Sequence, residues 1–315
     1  MADPETCFVI GAWPKRGKDN PRNARFYQQI EKMGVSVIDL KTKPWMVFRC
    51  SHFHVHWPEK AFFGYLPIKS SLFIVMTLAC KIAGVAIIFT VHNDYREEIK
   101  YRWQKDLFIF WLSQVDFFHH TNSRTEGLFS ESLANAKHFK IPLGLYKRSP
   151  KETGEQDTCE RILIFGRLTR KKDIIGMLSE ICQVSTSIAI SVVGQPEDIA
   201  YANELTTHIK TLPNDIVLNL GFVQEEEVDG LLLNHDAIAL NYFRGNHSGV
   251  ATLAASYNLP IVVNFDRWQP PDMDFYGVLP TNISMLPRLR RYKPKSFLIE
   301  DAAIRFLEVI KNEQY

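Results

Sequence analysis

Short apolar runs alternate along this chain with longer stretches that carry apolar residues at helical spacing, a rhythm that predicts βαβ units around parallel sheets. CFVIGAW predicts a first strand, and the polar loop PKRGKDNPRN leads from it into the helix ARFYQQIEKM, which closes at Gly34 before the strand VSVIDL. VFRCSHFHVHW predicts a third strand, AIIFTVHN a fourth, VDFFHHTN a fifth and HFKIPLGLY a sixth. From Lys147 to Glu160 the chain reads KRSPKETGEQDTCE, polar and without apolar periodicity, as an interdomain linker does.

The alternation then restarts. RILIFGRL predicts a strand and turn, DIIGMLSEICQV a helix, SIAISVVGQ a strand, AYANELTTHIKTL a helix and DIVLNLGFV a strand. EEEVDGLLLNH, DAIALNYF, SGVATLAASYN and LPIVVNFD continue as helix, strand, helix and strand. In IEDAAIRFLEVIKNE, Ile299, Ala303, Phe306 and Ile310 fall near helical spacing and predict one apolar stripe packed on a domain. The expected architecture is α/β with two Rossmann-like doubly wound domains facing a central cleft. Their bounds are 1–146 and 161–298, with a linker at 147–160 and a last helix at 299–315 free to cross back to the first domain. Ligands of such sheets bind at the carboxyl ends of the strands, so candidate residues are sought just after strands.

Ser71 to Val91 (SLFIVMTLACKIAGVAIIFTV) is long and apolar enough to resemble a membrane span. Lys81 and Gly84 divide it, so Leu72 to Ile82 suits a buried helix and Val85 to Val91 a strand covered on both faces.

With 315 residues, 46% of them hydrophobic, the chain can build two cores. Its 37 basic and 35 acidic side chains leave a formal charge of +2, which gives no electrostatic reason to expect nucleic acid as a partner. Any anion site must therefore be local. Cys7, Cys50, Cys80, Cys159 and Cys182 are scattered and form no CxxC, and read as reduced structural thiols. The start MADPETCFVIGAW lacks a secretion signal, which fits a cytosolic location.

GRLTRKKD places Arg167 directly after a strand, with Lys171 and Lys172 one turn on. Such fixed cations can neutralise a diphosphate, although a solvated basic turn has the same composition. In FRGNHSGVATLAASYNLPIVV, Ser248 or Asn246 can cap a helix whose Gly249 admits close approach, so its first N–H groups can receive an anion. An ordinary capped helix is the plainer reading. The first βα turn, GAWPKRG, is not GxGxxG, and no GxxxxGK[ST] occurs, which weighs against dehydrogenases and P-loop NTPases. FHVHWPEK and FTVHNDYREE offer His54, His56, Trp57, Glu59, His92, Asn93, Asp94, Glu97 and Glu98 at strand ends. Histidine and carboxylates are the usual general bases, and tryptophan can cover a sugar face. His52, His54 and His56 share one strand face but diverge too far along it to close a tetrahedral metal site alone.

Taken in order, HVHWPEK, TVHN, IPLGLY, FGRLTRKKD, GFVQEEEV and SGVATLAASYNLPIVV resemble the motifs of bacterial GT-B glycosyltransferases. The likeness is greatest to the group that builds exopolysaccharide repeat units on lipid carriers, including glucuronosyl- and mannosyltransferases, and it runs through nearly the whole chain. The resemblance implies transfer of a sugar from a GDP- or UDP-sugar donor to a glycan or polyprenyl-linked saccharide. It implies no cofactor and no metal, with the protein working in the cytoplasm or peripherally on the inner face of the plasma membrane. By the same resemblance Arg167 and Lys172 grip the donor diphosphate, and Ser248, Gly249, Val250 and Ala251 receive the phosphates or donor sugar. Phe222 and Val223 border the base, His92 lies near the reacting sugar, and Asn20, with His56 and Trp57, borders the acceptor.

Many retaining members carry two glutamates eight residues apart where this chain has Gly245 and Leu253, so the retaining assignment does not carry over. An inverting enzyme needs a base, for which His92, Asp94, Glu59 and Glu98 are the candidates. KAFFGYLPIKSSLF, with Lys60 and Lys69, has the composition of an interfacial segment, though a buried loop and helix start fit it equally. A noncatalytic sugar-nucleotide-binding protein and a nucleotide-sugar epimerase of the same fold are the competing readings.

Overall fold

The structure, a computed structural model, describes residues 8–16, 21–62, 67–92, 99, 101–129, 136–147, 155–156, 159–242, 248–268, 272–273, 280–286, 289–290 and 297–312. The chain divides into two units, Met1–Gly144 with Leu298–Tyr315, and Leu145–Phe297.

The first unit runs β1 (Val9–Trp13), α1 (Pro21–Lys32), β2 (Ser36–Asp39), β3 (His52–His56), α2 (Glu59–Phe62) and α3 (Pro67–Ile82). It continues with β4 (Ala86–Val91), α4 (Arg102–Leu112), β5 (Phe117–His120), α5 (Ser123–Phe129) and β6 (Lys137–Lys140). Its six strands are all parallel, in the order β2-β1-β3-β4-β5-β6. The long third strand expected from VFRCSHFHVHW is shorter: Pro44–Arg49 is a 3-10 turn and pairing starts only at His52. Pro44 opens that turn with its φ already fixed, and of the apolar VF of the run Val47 is buried in packing while Phe48 is left exposed.

The two faces of this sheet differ in chemistry. Phe53, Val55, Ile87, Phe89, Val91 and Phe118 meet Phe73 and Cys80 of α3 and Phe108, Trp111 and Leu112 of α4 in an apolar core. The opposite face carries His54, His56, Thr90 and His119, in register from strand to strand, beneath Tyr27 of α1.

Helix α3 is not buried all round, contrary to the expectation for Leu72 to Ile82. It turns Ser70, Phe73, Thr77 and Cys80 inward, and Ser70 and Thr77 bury their hydroxyls by donating to the Ala61 and Phe73 carbonyls. Ile68, Leu72, Val75 and Ile82 lie outward and exposed. No helix among the described residues is long and apolar enough to cross a membrane.

The second unit runs β7 (Glu155–Gln156), β8 (Arg161–Phe165), α6 (Ile174–Val184), β9 (Ala189–Gly194), α7 (Ile199–Ile209), β10 (Ile216–Leu220) and α8 (Glu225–Leu233). Then come β11 (Ala237–Ala239), α9 (Gly249–Ser256), β12 (Ile261–Val263), β13 (Thr281–Asn282) and β14 (Leu289–Arg290). Six parallel strands follow the order β10-β9-β8-β11-β12-β13, while β7 pairs antiparallel with β14 inside the stretch read as linker and beyond. Counted from β8, that is the 3-2-1-4-5-6 order of dinucleotide-binding sheets. Asp236 staples the entry to β8 by accepting from the Glu160 and Arg161 amides at 3.1 and 2.9 Å. Asp198 caps α7 through the Tyr201 amide.

The last helix, α10 (Ile299–Asn312), packs against α1 and belongs to the first unit. Ile299, Ala303, Phe306 and Ile310 are all buried, and the Phe306 ring stacks on His54 with centroids 4.6 Å apart. Cys50, Cys80, Cys159 and Cys182 are buried free thiols, with burial raising Cys50 to about 11 and Cys80 to about 12.

Candidate functional site

In an open parallel sheet the strand order reverses at one place, where neighbouring connections leave on opposite faces and open a crevice at the carboxyl ends. In the second unit that place lies between β8 and β11. Ile164, Phe165, Leu168, Lys172, Ile174, Met177, Ala239, Leu240 and Asn241 line a pocket there.

The chain leaves β8 through Gly166, at φ +99, and Gly194 stands beside it at the end of β9, at φ +152. Both conformations favour glycine. A methyl group on Gly166 would come within 3.2 Å of Val250 and 3.5 Å of the Lys172 ammonium, so the turn after β8, Lys172 and the start of α9 converge on one spot. Lys172 also lies 5.6 Å above the Tyr242 ring, a cation–π distance.

Ser248 is buried and caps α9, its Oγ accepting from the Ala251 amide at 3.1 Å and pairing with the Tyr242 hydroxyl at 2.9 Å. Gly249 is exposed and Val250 half-buried, while Ala251 is buried. Helix N-terminal N–H groups lack partners inside their own helix, so this first turn together with Lys172 is suited to an anion. Arg167 is exposed immediately after Gly166. Phe222, 57% exposed, and half-buried Val223 follow β10, tied in by the Gly221 amide donating to the Gly194 carbonyl at 3.1 Å. Arg170 of the same basic turn is spent on structure. It pairs with Glu197, Asp198 and Glu204 and covers Tyr201.

In the first unit, His56 and Trp57 close β3 and His92 follows β4. Trp57 takes φ 53, and its indole lies nearly flat on His92, centroids 4.7 Å apart and planes 13° from parallel. His92 and His56 are buried and joined Nε2 to Nδ1 at 3.0 Å. Glu59 is buried at the start of α2. Asn20, Asn93, Asp94, Glu97, Glu98, Gly245 and Asn246 lie outside the described residues.

Behind His92 the contacts continue. His56 Nε2 and His54 Nδ1 each meet the Tyr27 hydroxyl at 2.9 Å, His54 Nε2 meets Thr90 Oγ1 at 2.6 Å, Thr90 Oγ1 meets His119 Nδ1 at 2.9 Å, and His119 Nε2 meets the Ile141 carbonyl at 3.0 Å. Burial holds His54 and His56 well below the usual histidine range and His119 at about 3, and neighbouring histidines and the Arg22 guanidinium push His54 and His56 the same way. Burial also raises the Tyr27 phenol well above its ordinary value. Among the described residues no group of three His, Cys, Asp or Glu could hold a metal ion, so His52, His54 and His56 form no such set.

Tyr27, Thr90, His119, Asn241 and Tyr242 escape a motif-based reading. A signal for two of them, Thr90 and His119, exists: polar residues at alternate positions of HVHW and TVH, with His119 of FFHH, occupy one face of three adjoining strands.

No family model and no curated protein matches the chain. Solved structures do. Anabaena Alr3699/HepE, solved in complex with UDP and glucose, superposes with a TM-score of 0.68 at 14% identity, covering 97% of this chain and 100% of that one. The same protein with UDP-glucose gives 0.66, also at 14% identity, over 96% and 99%. Sucrose-phosphate synthase from Thermosynechococcus elongatus gives 0.68 at 12% identity, over 97% of this chain and 98% of that one. The pneumococcal O-GlcNAc transferase GtfA, with UDP and GlcNAc, gives 0.56 at 14% identity over 76% of this chain and 54% of its own. With two all-parallel six-stranded sheets and these neighbours over nearly its full length, the chain has the two-Rossmann-unit fold of the GT-B glycosyltransferases.

Proposed function

We propose that the chain transfers a glycosyl group from a UDP-sugar to a hydroxyl of a saccharide acceptor. The observation that carries this reading is the convergence of Gly166, Lys172, Val250 and the capped start of α9 at the switch point of the second sheet. Lys172 and Arg167 would neutralise the leaving diphosphate and the α9 N–H groups would receive its oxygens, charge stabilisation that draws on no cofactor. Phe222 and Val223 would border the base. His56, Trp57 and Asn20 would border the acceptor, with His92 as the base and the carboxylates Glu59, Asp94 and Glu98 as the alternatives to be tested. The solved neighbours holding UDP and UDP-glucose support UDP as the nucleotide.

A thermal-shift panel tests it, because a ligand that binds only the folded state raises the melting temperature with concentration. UDP should raise it more than GDP or ADP, and Lys172→Ala should remove the gain while leaving the unliganded transition in place. Equal shifts in wild type and variant would remove Lys172 from the site.

The acceptor we propose is polyprenyl-linked, presented at the cytoplasmic face of a membrane. The outward face of α3 supports this: Ile68, Leu72, Val75 and Ile82 are 62, 64, 61 and 89% exposed beside exposed Lys69, with Trp45 and Phe48 of the neighbouring 3-10 turn 67 and 64% exposed. Apolar side chains flanked by cations are what an interfacial helix presents to anionic lipid. Phe62 and Phe73, two of the aromatic residues of KAFFGYLPIKSSLF, are instead core residues. Flotation with phosphatidylglycerol vesicles should carry the wild type and leave Leu72→Glu/Val75→Glu behind; equal flotation of both would exclude this face.

A further inference from the structure

The run from His92 to Ile141 has a direction. Its last acceptor, the Ile141 carbonyl, has no hydrogen to give, so His119 must donate through Nε2. A neutral imidazole then has only a lone pair at Nδ1, so the Thr90 hydroxyl must donate to it, which leaves Thr90 Oγ1 to accept from His54 Nε2–H. His54 Nδ1 in turn accepts from the Tyr27 hydroxyl, and the Tyr27 oxygen accepts from His56 Nε2–H. His56 Nδ1 is then an acceptor, and His92 must donate to it through Nε2. One backbone carbonyl thus dictates the tautomer of four histidines in succession, because each ring has one donor and one acceptor when neutral.

We infer that this one-way ladder is a positioning device that fixes His92 as the Nε2–H tautomer, with its lone pair at Nδ1. This deepens the glycosyltransfer reading and rests on it for the use made of His92. As the acceptor oxygen attacks the anomeric carbon, its O–H proton would pass to His92 Nδ1. The bond from that carbon to the diphosphate oxygen would break, its electron pair leaving with the nucleotide.

The ladder cannot carry that proton inward. Shifting every hydrogen one place along would leave the charge on His119, which burial keeps neutral. It therefore works as a fixed mount, and Tyr27, His54, His56, Thr90 and His119 are positioning residues. Stacking of Trp57 on His92 and of Phe306 on His54 restrains the rings from flipping.

Nitrogen-15 NMR of protein labelled at its histidines reads the tautomers directly and needs no substrate. His92, assigned by its loss in His92→Asn, should show a protonated Nε2 and an unprotonated Nδ1 at neutral pH. An Nδ1–H tautomer would overturn the inference. Tyr27→Phe and Thr90→Val should give mixed tautomers at His92, with kcat lower by about 10- to 100-fold, KM little changed and the far-UV spectrum native. Thr90→Ser, which keeps the hydroxyl, should restore both. A single unaltered Nε2–H signal in folded Tyr27→Phe and Thr90→Val would show that the ladder does not set the tautomer. Absence of any transferase activity beside the expected NMR pattern would count against the glycosyltransfer reading alone.

Discussion

Gly194→Ala isolates what the candidate nucleotide pocket requires of its backbone. A methyl group there would be driven into the Gly166 carbonyl, 2.7 Å from its carbon, where ordinary contact begins near 3.4 Å. Neither partner can yield as a side chain does, because both are backbone at the ends of paired strands β8 and β9. Overpacking of this kind costs roughly 1–3 kcal/mol, and a left-handed φ forced on alanine adds about 1–3 kcal/mol. A total of roughly 2–6 kcal/mol corresponds to a fall of roughly 4–24 °C in a unit of this size. Relief by separation of the strand ends would also displace Arg167, so UDP affinity should fall by more than stability alone accounts for. Differential scanning calorimetry with and without UDP reads both effects. Gly230→Ala, in the middle of α8 with open space around it, is the internal control and should gain about 0.5–1 kcal/mol. A Gly194→Ala melting temperature within 2 °C of wild type would refute the reasoning.

Other perturbations have equally definite outcomes. Phe306→Ala removes a fully buried ring from between α10 and the histidine face, and should cost about 3–5 kcal/mol, seen as early loss of the first unit in urea. Ser248→Ala removes a buried cap and should cost about 1 kcal/mol while weakening UDP binding; unchanged affinity would separate the cap from the ligand. Burial lowers His52 to about 4, His119 to about 3 and His120 to about 4. The unfolded chain takes up protons at these groups near pH 6.5 and the folded chain does not, so the stability they confer is full above that pH and lost as pH falls toward 4. Each can contribute a slope of up to about 1.4 kcal/mol per pH unit. The first unit should melt progressively earlier from pH 6.5 to 4.5, and a flat profile would contradict the buried neutral state.

The strand and helix alternation was legible in the sequence because strands buried on both faces read as continuous apolar runs, as AIIFTV and SIAISVV do. Hydropathy misled where apolar residues serve another purpose. VFRC reads like a strand start, yet Pro44 winds it into a turn, and α3 reads as buried although its more apolar side is outward. GRLTRKK pointed to the basic turn after β8, but only coordinates separate Lys172, which leans over Tyr242, from Arg170, which is tied to Glu197. The histidine ladder was hidden for a different reason. Its rungs come from three strands and a helix, and their pairing depends on register, which no local window contains.

The return of α10 to the first unit separates order of synthesis from order of completion. Residues 145–297 form an uninterrupted unit and can finish folding as they emerge from the ribosome, at about 5–20 residues per second. The first unit, though made earlier, must wait for Phe306 before the aromatic lid over His54 is in place. Until then its polar sheet face, with four histidines that can still take up protons, stays open to water. A nascent chain stalled before residue 298 would thus hold a closed second half and an unsealed first half, the form on which chaperones and proteases would act.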